Sequence, residues 1–378
     1  MTATRTLVVK IGSSSVTTSA GTVDPAALAK VAAEVATQRA AGRRVVVVTS
    51  GAVAAGWTAL AEGAERPGDL ATLQAVAAVG QHHLMRAWSE AFETSGLLAG
   101  QVLLAPRDFV HRSQYLRARR TLERLLELGV VPVVNENDAV ADEELRFGDN
   151  DRLAALVAHL VGADLLVLLT DTAGLFTGDP RSDEGASLIE EVVDIDQRLE
   201  AVAGGPGTAV GSGGMSSKLA AAKLAVWSGV EAVIADAARP AVLSDVADGR
   251  AGVGTRFRPR RDRLSARKLW IAFAVGAQGT LVVDDGARRA LLDHGRSLLL
   301  AGVVDVQGSF GADDAVELAG TDGAVFAKGL ARHAADVATA WAGRRSSELP
   351  DDLGATVVHR DDLVVLPERA PAAAGSEA

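Results

Sequence analysis

The chain has 378 residues, 48% of them hydrophobic, which suits two domains with sizeable cores. Its net charge of −10 argues against a general binder of nucleic acid or anionic membranes. It has no cysteine, which excludes disulfides and thiolate metal sites, and no apolar stretch of membrane-spanning length.

The start, MTATRTLVVKIG, enters a strand pattern without a long apolar leader, so a soluble cytoplasmic protein is expected. Leu7-Val8-Val9 reads as a buried strand that ends on Lys10 and the small run Gly12-Ser13-Ser14-Ser15. A cation at the end of a buried strand is costly unless it meets an anion. Asp24-Pro25 starts a helix and Gly42 closes it. Residues 45–48 form the next strand, followed by Thr49-Ser50-Gly51-Ala52-Val53-Ala54-Ala55-Gly56. That stretch reads as a small, hydroxyl-bearing loop that lets a ligand approach the backbone. A helix is predicted over about 70–92. His82 and His83 inside it point to different faces and are read as structural. Residues 102–104 are a third strand, and 113–128 an Arg-rich helix stopped by Gly129.

The centre of the chain is 130–156. A buried strand, Val130-Val131-Pro132-Val133-Val134, leads into Asn135-Glu136-Asn137-Asp138. Asp149-Asn150-Asp151 then opens a helix with Leu153, Leu156, Val157 and Leu160 on one face. One Asp or Asn would suffice as a cap. Two Asn-rich clusters, each abutting a regular element, point to a polar site at the carboxyl end of a strand. Residues 165–169 form an apolar strand ending in Thr170-Asp171. GGPGTAVGSGGMSS, 204–217, runs into Lys218 and a helix. Free N–H groups and the helix dipole there suit a phosphate. A lysine in a first turn opposes the dipole, and a bound polyphosphate would account for it. Residues 232–235 form one more strand.

Strands and helices alternate over 7–235, which predicts an α/β fold with a mostly parallel sheet covered by helices. Lys10, Ser50, Asn135 to Asp138 and Thr170-Asp171 each follow a strand. They converge on one sheet edge that suits a nucleotide beside a small charged substrate. GxxxxGK[ST] is absent, so a P-loop is excluded. Gly211-Ser212-Gly213, with Glu231 beyond, imitates a dinucleotide fingerprint, but the third glycine is missing and no strand precedes it. A dehydrogenase is the weaker alternative.

The segments VVKIGSSS (8–15), VTSGAVAAG (48–56), PVVNENDAV (132–140), FGDND (147–151), LTDTAGLF (169–176) with DPR (179–181), and GSGGMSSK (211–218) stand in one order. In that order and spacing the chain resembles the glutamate 5-kinase group of the amino-acid kinase family. Phe176 stands where that group often has Tyr, and Ser212 where Thr is common. The resemblance implies a three-layer sandwich over 1–257 and ATP-dependent phosphorylation of the γ-carboxylate of L-glutamate. That is the first step of proline biosynthesis, with proline as inhibitor. It implies Lys10 and Lys218 as catalytic cations oriented by Asp151, and Ser50, Asp138 and Asn150 as glutamate ligands. It gives the nucleotide to Thr170, Asp171, Ser212, Gly213, Gly214, Met215, Ser216, Ser217 and Lys218. Magnesium would arrive on the ATP phosphates, with no protein metal ligands. A homo-oligomer, and contact with the next enzyme of proline synthesis, are further expectations. The loop 142–146 is the expected effector-sensitive segment.

Residues 258–275 are a basic stretch read as a linker. Beyond it, short apolar runs between Gly-rich turns predict a small, mainly β barrel over 276–366, with a disordered tail over 367–378. GRSLLLAGVVDVQGSFGADDAVEL and AKGL resemble a PUA domain, with Asp313 in place of a usual glycine and His333 in place of an aromatic residue. PUA domains elsewhere bind RNA. Here 276–366 holds 8 Lys and Arg against 14 Asp and Glu, which argues against a phosphate-binding face.

Overall fold

The computed structural model describes residues 5–18, 21–60, 69–109, 112–140, 150–180, 183, 185–204, 214–260, 264–274, 276–350 and 353–369. It divides into two units, Met1–Ala266 and Arg267–Ala378. The division falls inside the stretch read as a linker.

The first unit is built on strands β1 (Thr6–Ile11), β2 (Arg44–Thr49), β3 (Ala99–Leu104), β4 (Val131–Glu136), β5 (Leu165–Thr170), β6 (Glu191–Val192), β7 (Glu231–Asp236) and β8 (Thr255–Phe257). They form one sheet in the order β3-β4-β2-β1-β5-β7-β8-β6. β1, β4 and β5 are buried along their whole length, and β2 at all but its first residue. Such continuous apolar runs mark a parallel sheet covered on both faces. The β1 to β5 and β7 pairings are parallel; β8 runs antiparallel to β7, and β6 pairs parallel with β8.

The helices are α1 (Ser13–Val16), α2 (Pro25–Ala40), α3 (Ala52–Leu60), α4 (Leu70–Thr94), α5 (Arg112–Glu127), α6 (Asn150–Leu160), α7 (Gln197–Val202), α8 (Met215–Trp227) and α9 (Val242–Ala247). Leu7, Val9 and Ile11 of β1 share a core with Leu28 and Val31 of α2, Leu84 and Trp88 of α4, and Val242 of α9. By the two-residue period of a strand, Val8 and Lys10 face the other layer, where α6 and α8 pack together. β1 has β2 on one side and β5 on the other, so the strand order reverses at β1. Open α/β sheets bind ligands at the carboxyl ends around such a switch point. No helix among the described residues is long and apolar enough to cross a membrane.

The stretch expected as a loop after β2 is mostly helix. Only Ser50 and Gly51 are irregular, and α3 begins at Ala52. Gly51 turns the chain at φ 110, and the Ala-rich run that follows is a good helix former. Gly56 sits in the middle of α3 for a packing reason. A Cβ there would lie 1.9 Å from the Val76 carbonyl oxygen of α4, and one on Gly80 would lie 1.8 Å from the Ala52 oxygen. The two helices cross backbone to backbone.

The second unit contains β9 (Gly279–Val283), β10 (Leu298–Leu299), β11 (Val303–Gly308), β12 (Ala315–Gly320), β13 (Val325–Ala331) and β14 (Thr356–Arg369). Their order is β10-β14-β13-β12-β9-β11. The two edge strands, β10 and β11, are joined directly by the turn Leu300–Gly302, so the sheet curls into a half-barrel. Helices α10 (Ala266–Leu269), α11 (Asp285–His294) and α12 (Ala335–Trp341) complete it. Leu281, Leu318, Phe326 and Val358 centre its core. Asp313 takes φ 69, a left-handed conformation that explains the glycine usual there and that Asp tolerates better than most residues. β14 reaches Arg369, so it takes in the first residues of the expected tail; 370–378 lie outside the described residues.

Candidate active site

Four strand ends and two helix starts meet at the carboxyl edge. Lys10 comes from the end of β1, Ser50 from just after β2, Asn135 from β4 and Thr170 from the end of β5. Asn150 and Asp151 open α6, and Lys218 lies in the first turn of α8. All seven side chains are buried.

Asp151 is the electrostatic centre. Its Oδ1 lies 2.6 Å from Lys10 Nζ and its Oδ2 3.4 Å from Lys218 Nζ. The Ser217 hydroxyl donates to Oδ2 at 2.7 Å. Burial pushes the Asp151 carboxyl up, but the Lys10 and Lys218 ammoniums, helped by the hydrogen bonds from Lys10 and Ser217, outweigh it and hold it below the usual carboxylate range. Two cations sharing one carboxylate leave a net positive charge in a buried place. An arrangement of that kind stabilises itself poorly but is ready for an anion. Lys218 in a first turn, odd by the dipole, is thus held by Asp151.

A chain of amides lies beside it. The backbone N–H of Glu136 donates to Asn135 Oδ1 at 2.9 Å and to Asn150 Oδ1 at 3.2 Å. Asn150 Nδ2 donates to Ser50 Oγ and to Asn135 Oδ1, both at 3.0 Å. Thr49, deeper still, accepts from Trp88 Nε1 at 3.0 Å. The residues chosen from sequence for the substrate are therefore one bonded unit, save Asp138.

Asp138 begins a 3-10 turn, Asp138–Val140, and is 8% exposed. No cation or hydrogen-bond donor pairs with it among the described residues, and burial pushes its carboxyl up to about 6. With Gln81, Leu103, Glu136 and Asn137 it lines a cavity of about 200 Å³. An ammonium group is the natural occupant beside such a carboxylate. The folded state holds the Asp138 proton more tightly than the unfolded chain, whose value is near 3.8. Its contribution to stability is therefore full below that value and is lost as pH rises through about 6. At neutral pH the ionised group costs roughly 3 kcal/mol. Asp138→Asn should raise the melting temperature of the ligand-free protein at pH 7, with the gain shrinking by pH 4 to 5. It should also weaken substrate binding. Thermal unfolding at both pH values checks this, and a lower melting temperature at pH 7 would refute it.

At the end of β5, Thr170 is buried and its hydroxyl donates to Asp171 Oδ1 at 3.1 Å; Asp171 is exposed. Gly214 is the N-cap of α8, with no side-chain cap, and Met215, Ser216 and Ser217 form its first turn. Ser212 and Gly213 lie outside the described residues, as does the loop 142–146. Thr172, unassigned from sequence, has a buried Oγ1 with no partner among the described residues. Glu231, the acid of the dehydrogenase alternative, is spent on ion pairs with Arg256 and Arg258 at 2.7 and 3.1 Å. A larger cavity of about 760 Å³ lies wholly in the second unit and shares no residue with this site.

A reversing parallel sheet, two lysines on one carboxylate and an uncapped helix start together make an α/β site suited to a phosphate-bearing anion. The model of the amino acid kinase family matches residues 5–236, and that of the PUA domain matches 279–352. Glutamate 5-kinase of Mycobacterium avium (strain 104) is 48% identical, over 96% of this chain and 97% of that protein. Glutamate 5-kinase of Geobacter sp. (strain M21) is 47% identical, over 95% and 97%. A solved structure, carbamate kinase from Giardia lamblia bound to AMP-PNP, aligns with TM-score 0.51 at 17% identity, over 69% of this chain and 100% of that one, a likeness of fold alone. The chain belongs to the amino-acid kinase family and, within it, groups with the glutamate 5-kinases.

Proposed function

We propose that the chain transfers the γ-phosphoryl group of ATP to the side-chain carboxylate of L-glutamate, giving γ-glutamyl phosphate for proline synthesis. The observation that carries this is Asp151 held between Lys10 and Lys218, together with a buried Asp138 that meets no cation among the described residues. A carboxylate oxygen attacks phosphorus while the bond to the ADP oxygen breaks, and ADP leaves with that electron pair. The nucleophile is already ionised, so no general base is needed. The work is positioning and charge stabilisation. Lys10 and Lys218 neutralise charge on the phosphoryl group in flight, and Asp151 holds the two ammoniums at fixed separation. Ser50 and Asn150 face the reacting end of glutamate, and Asp138 takes the α-ammonium.

The start of α8, with Thr170 and Asp171, suits the nucleotide phosphates and sugar. Among the described residues no group of His, Asp and Glu is arranged to hold a metal. A magnesium ion here would be held through ATP oxygens. Proline inhibition, a homo-oligomeric state and a cytoplasmic location belong to the same reading and rest on family resemblance.

ADP release should depend on L-glutamate and be far weaker with L-aspartate, N-acetylglutamate or carbamate. Aspartate is one methylene short, so its carboxylate misses the phosphoryl group while its ammonium stays at Asp138. Acetylglutamate would leave Asp138 facing a neutral amide, and buried polar pairings reject such analogues strongly. Hydroxylamine should trap the acyl phosphate as a hydroxamate. Equal turnover of acetylglutamate, or ADP release without hydroxamate, would overturn the reading.

A further inference from the structure

We propose that Gln81, on α4, receives the α-carboxylate of the substrate and makes the site selective for amino acids whose α-carboxylate is free; this rests on the glutamate-kinase reading above. A zwitterionic head group carries both signs. Asp138 answers the ammonium. The cavity that Asp138 shares with Gln81 is lined by Ala77, Ala78, Gln81, Leu103, Glu136, Asn137, Asp138 and Ala139. None of these is a Lys, Arg or His, and two are acids. A second anion placed there needs a neutral donor.

The amide chain supplies one and fixes which way it faces. Only an oxygen can accept the Glu136 N–H, so Oδ1 of both Asn135 and Asn150 is fixed as an acceptor. Asn135 Nδ2 is then a donor, and it donates to Gln81 Oε1 at 2.6 Å. The Gln81 oxygen is thereby taken, and its Nε2 carries two N–H groups. That nitrogen is buried and has no partner among the described residues. A buried donor left unpaired is costly, and a carboxylate oxygen in the adjoining cavity would remove the cost. The backbone of β4 thus orients, through Asn135, a donor on a different element. Asn137, the other amide on the wall, is half-buried and lies outside this chain of bonds.

Gln81→Glu separates this role from a structural one. The variant keeps an acceptor for Asn135 and nearly the same size, but removes both N–H donors. The substrates are L-glutamate and its α-carboxamide, L-isoglutamine, which keeps the ammonium and the γ-carboxylate. The native protein should prefer glutamate by about 10²-fold or more in kcat/KM. In Gln81→Glu the glutamate KM should rise by about 10²-fold with ATP KM unchanged. The preference should collapse or invert, because a carboxamide can donate to the new carboxylate. Should that variant fail to fold, Gln81→Met is read by the same ratio. An equal loss on both substrates, or an unchanged preference, would overturn the role of Gln81 while leaving glutamate phosphorylation standing. Failure of the native protein to phosphorylate L-glutamate would overturn the functional reading itself.

Discussion

Lys218→Ala should lower kcat by about 10²- to 10³-fold while the glutamate KM changes little. Lys10 lies 2.6 Å from Asp151, whereas Lys218 lies 3.4 Å away in the first turn of α8, the helix start proposed above for the nucleotide phosphates. In the proposed reaction Lys218 meets the charge that moves from the γ-phosphoryl group to the ADP oxygen. It makes that contact most strongly in the transition state, so its loss falls on kcat. The variant should still fold. Asp151 keeps Lys10 and the Ser217 hydroxyl, so no buried charge is left alone. Lys218→Arg should not restore the rate, because a planar fork cannot take the place of a compact ammonium beside Asp151. Steady-state kinetics with glutamate and ATP varied separately is the check. A large rise in glutamate KM at unchanged kcat would place Lys218 at the substrate and refute this division of roles.

The parts of the fold legible in the sequence were those with strong periodicity. β1, β2, β4 and β5 read as strands because they are buried on both faces and therefore uniformly apolar. The end-of-strand rule then placed Lys10, Ser50, Asn135 and Thr170 on one edge, where they lie. The two-residue β6 and the antiparallel β8 were not legible, since so few residues carry no period. The start of α3 was misread because Ser, Gly and Ala signal a ligand loop and a helix start equally well; burial of the Ala face decides between them. Gln81 was missed for a different reason. It lies in a helical pattern with polar neighbours, and only its bond to Asn135, 54 positions away, marks it. The sequence showed that Asn135 and Asn150 were more than caps. Their mutual hydrogen bond and shared anchoring on the Glu136 N–H needed coordinates.

Gly80→Ala should destabilise the first unit by about 3 kcal/mol or more, and two opposing effects decide the sign. Glycine inside a helix is worse than alanine by about 1 kcal/mol, so propensity alone predicts a gain. Against it stands a Cβ placed 1.8 Å from the Ala52 oxygen and 2.3 Å from the Gly56 nitrogen. Both are backbone atoms, so no rotamer change relieves the clash, and α3 and α4 must part. Overpacking that moves backbone costs about 1–3 kcal/mol, and here it also opens the packing around the buried Ala52, Ala55 and Ala77. The clash wins, and the melting temperature should fall by about 10 °C. Gly56→Ala meets the Val76 oxygen at 1.9 Å and should behave alike. The double variant should cost much less than the sum, because one Cβ already parts the helices at the same crossing. Activity should fall beyond the loss of folded protein. α4 carries Ala77, Ala78 and Gln81 of the cavity wall and α3 follows directly on Ser50-Gly51, so parting the helices shifts that wall and Ser50. Thermal unfolding of the three variants, with Val79→Ala on the exposed side of α4 as control, tests this. A melting temperature for Gly80→Ala equal to or above that of the native protein would show that the crossing tolerates a methyl group.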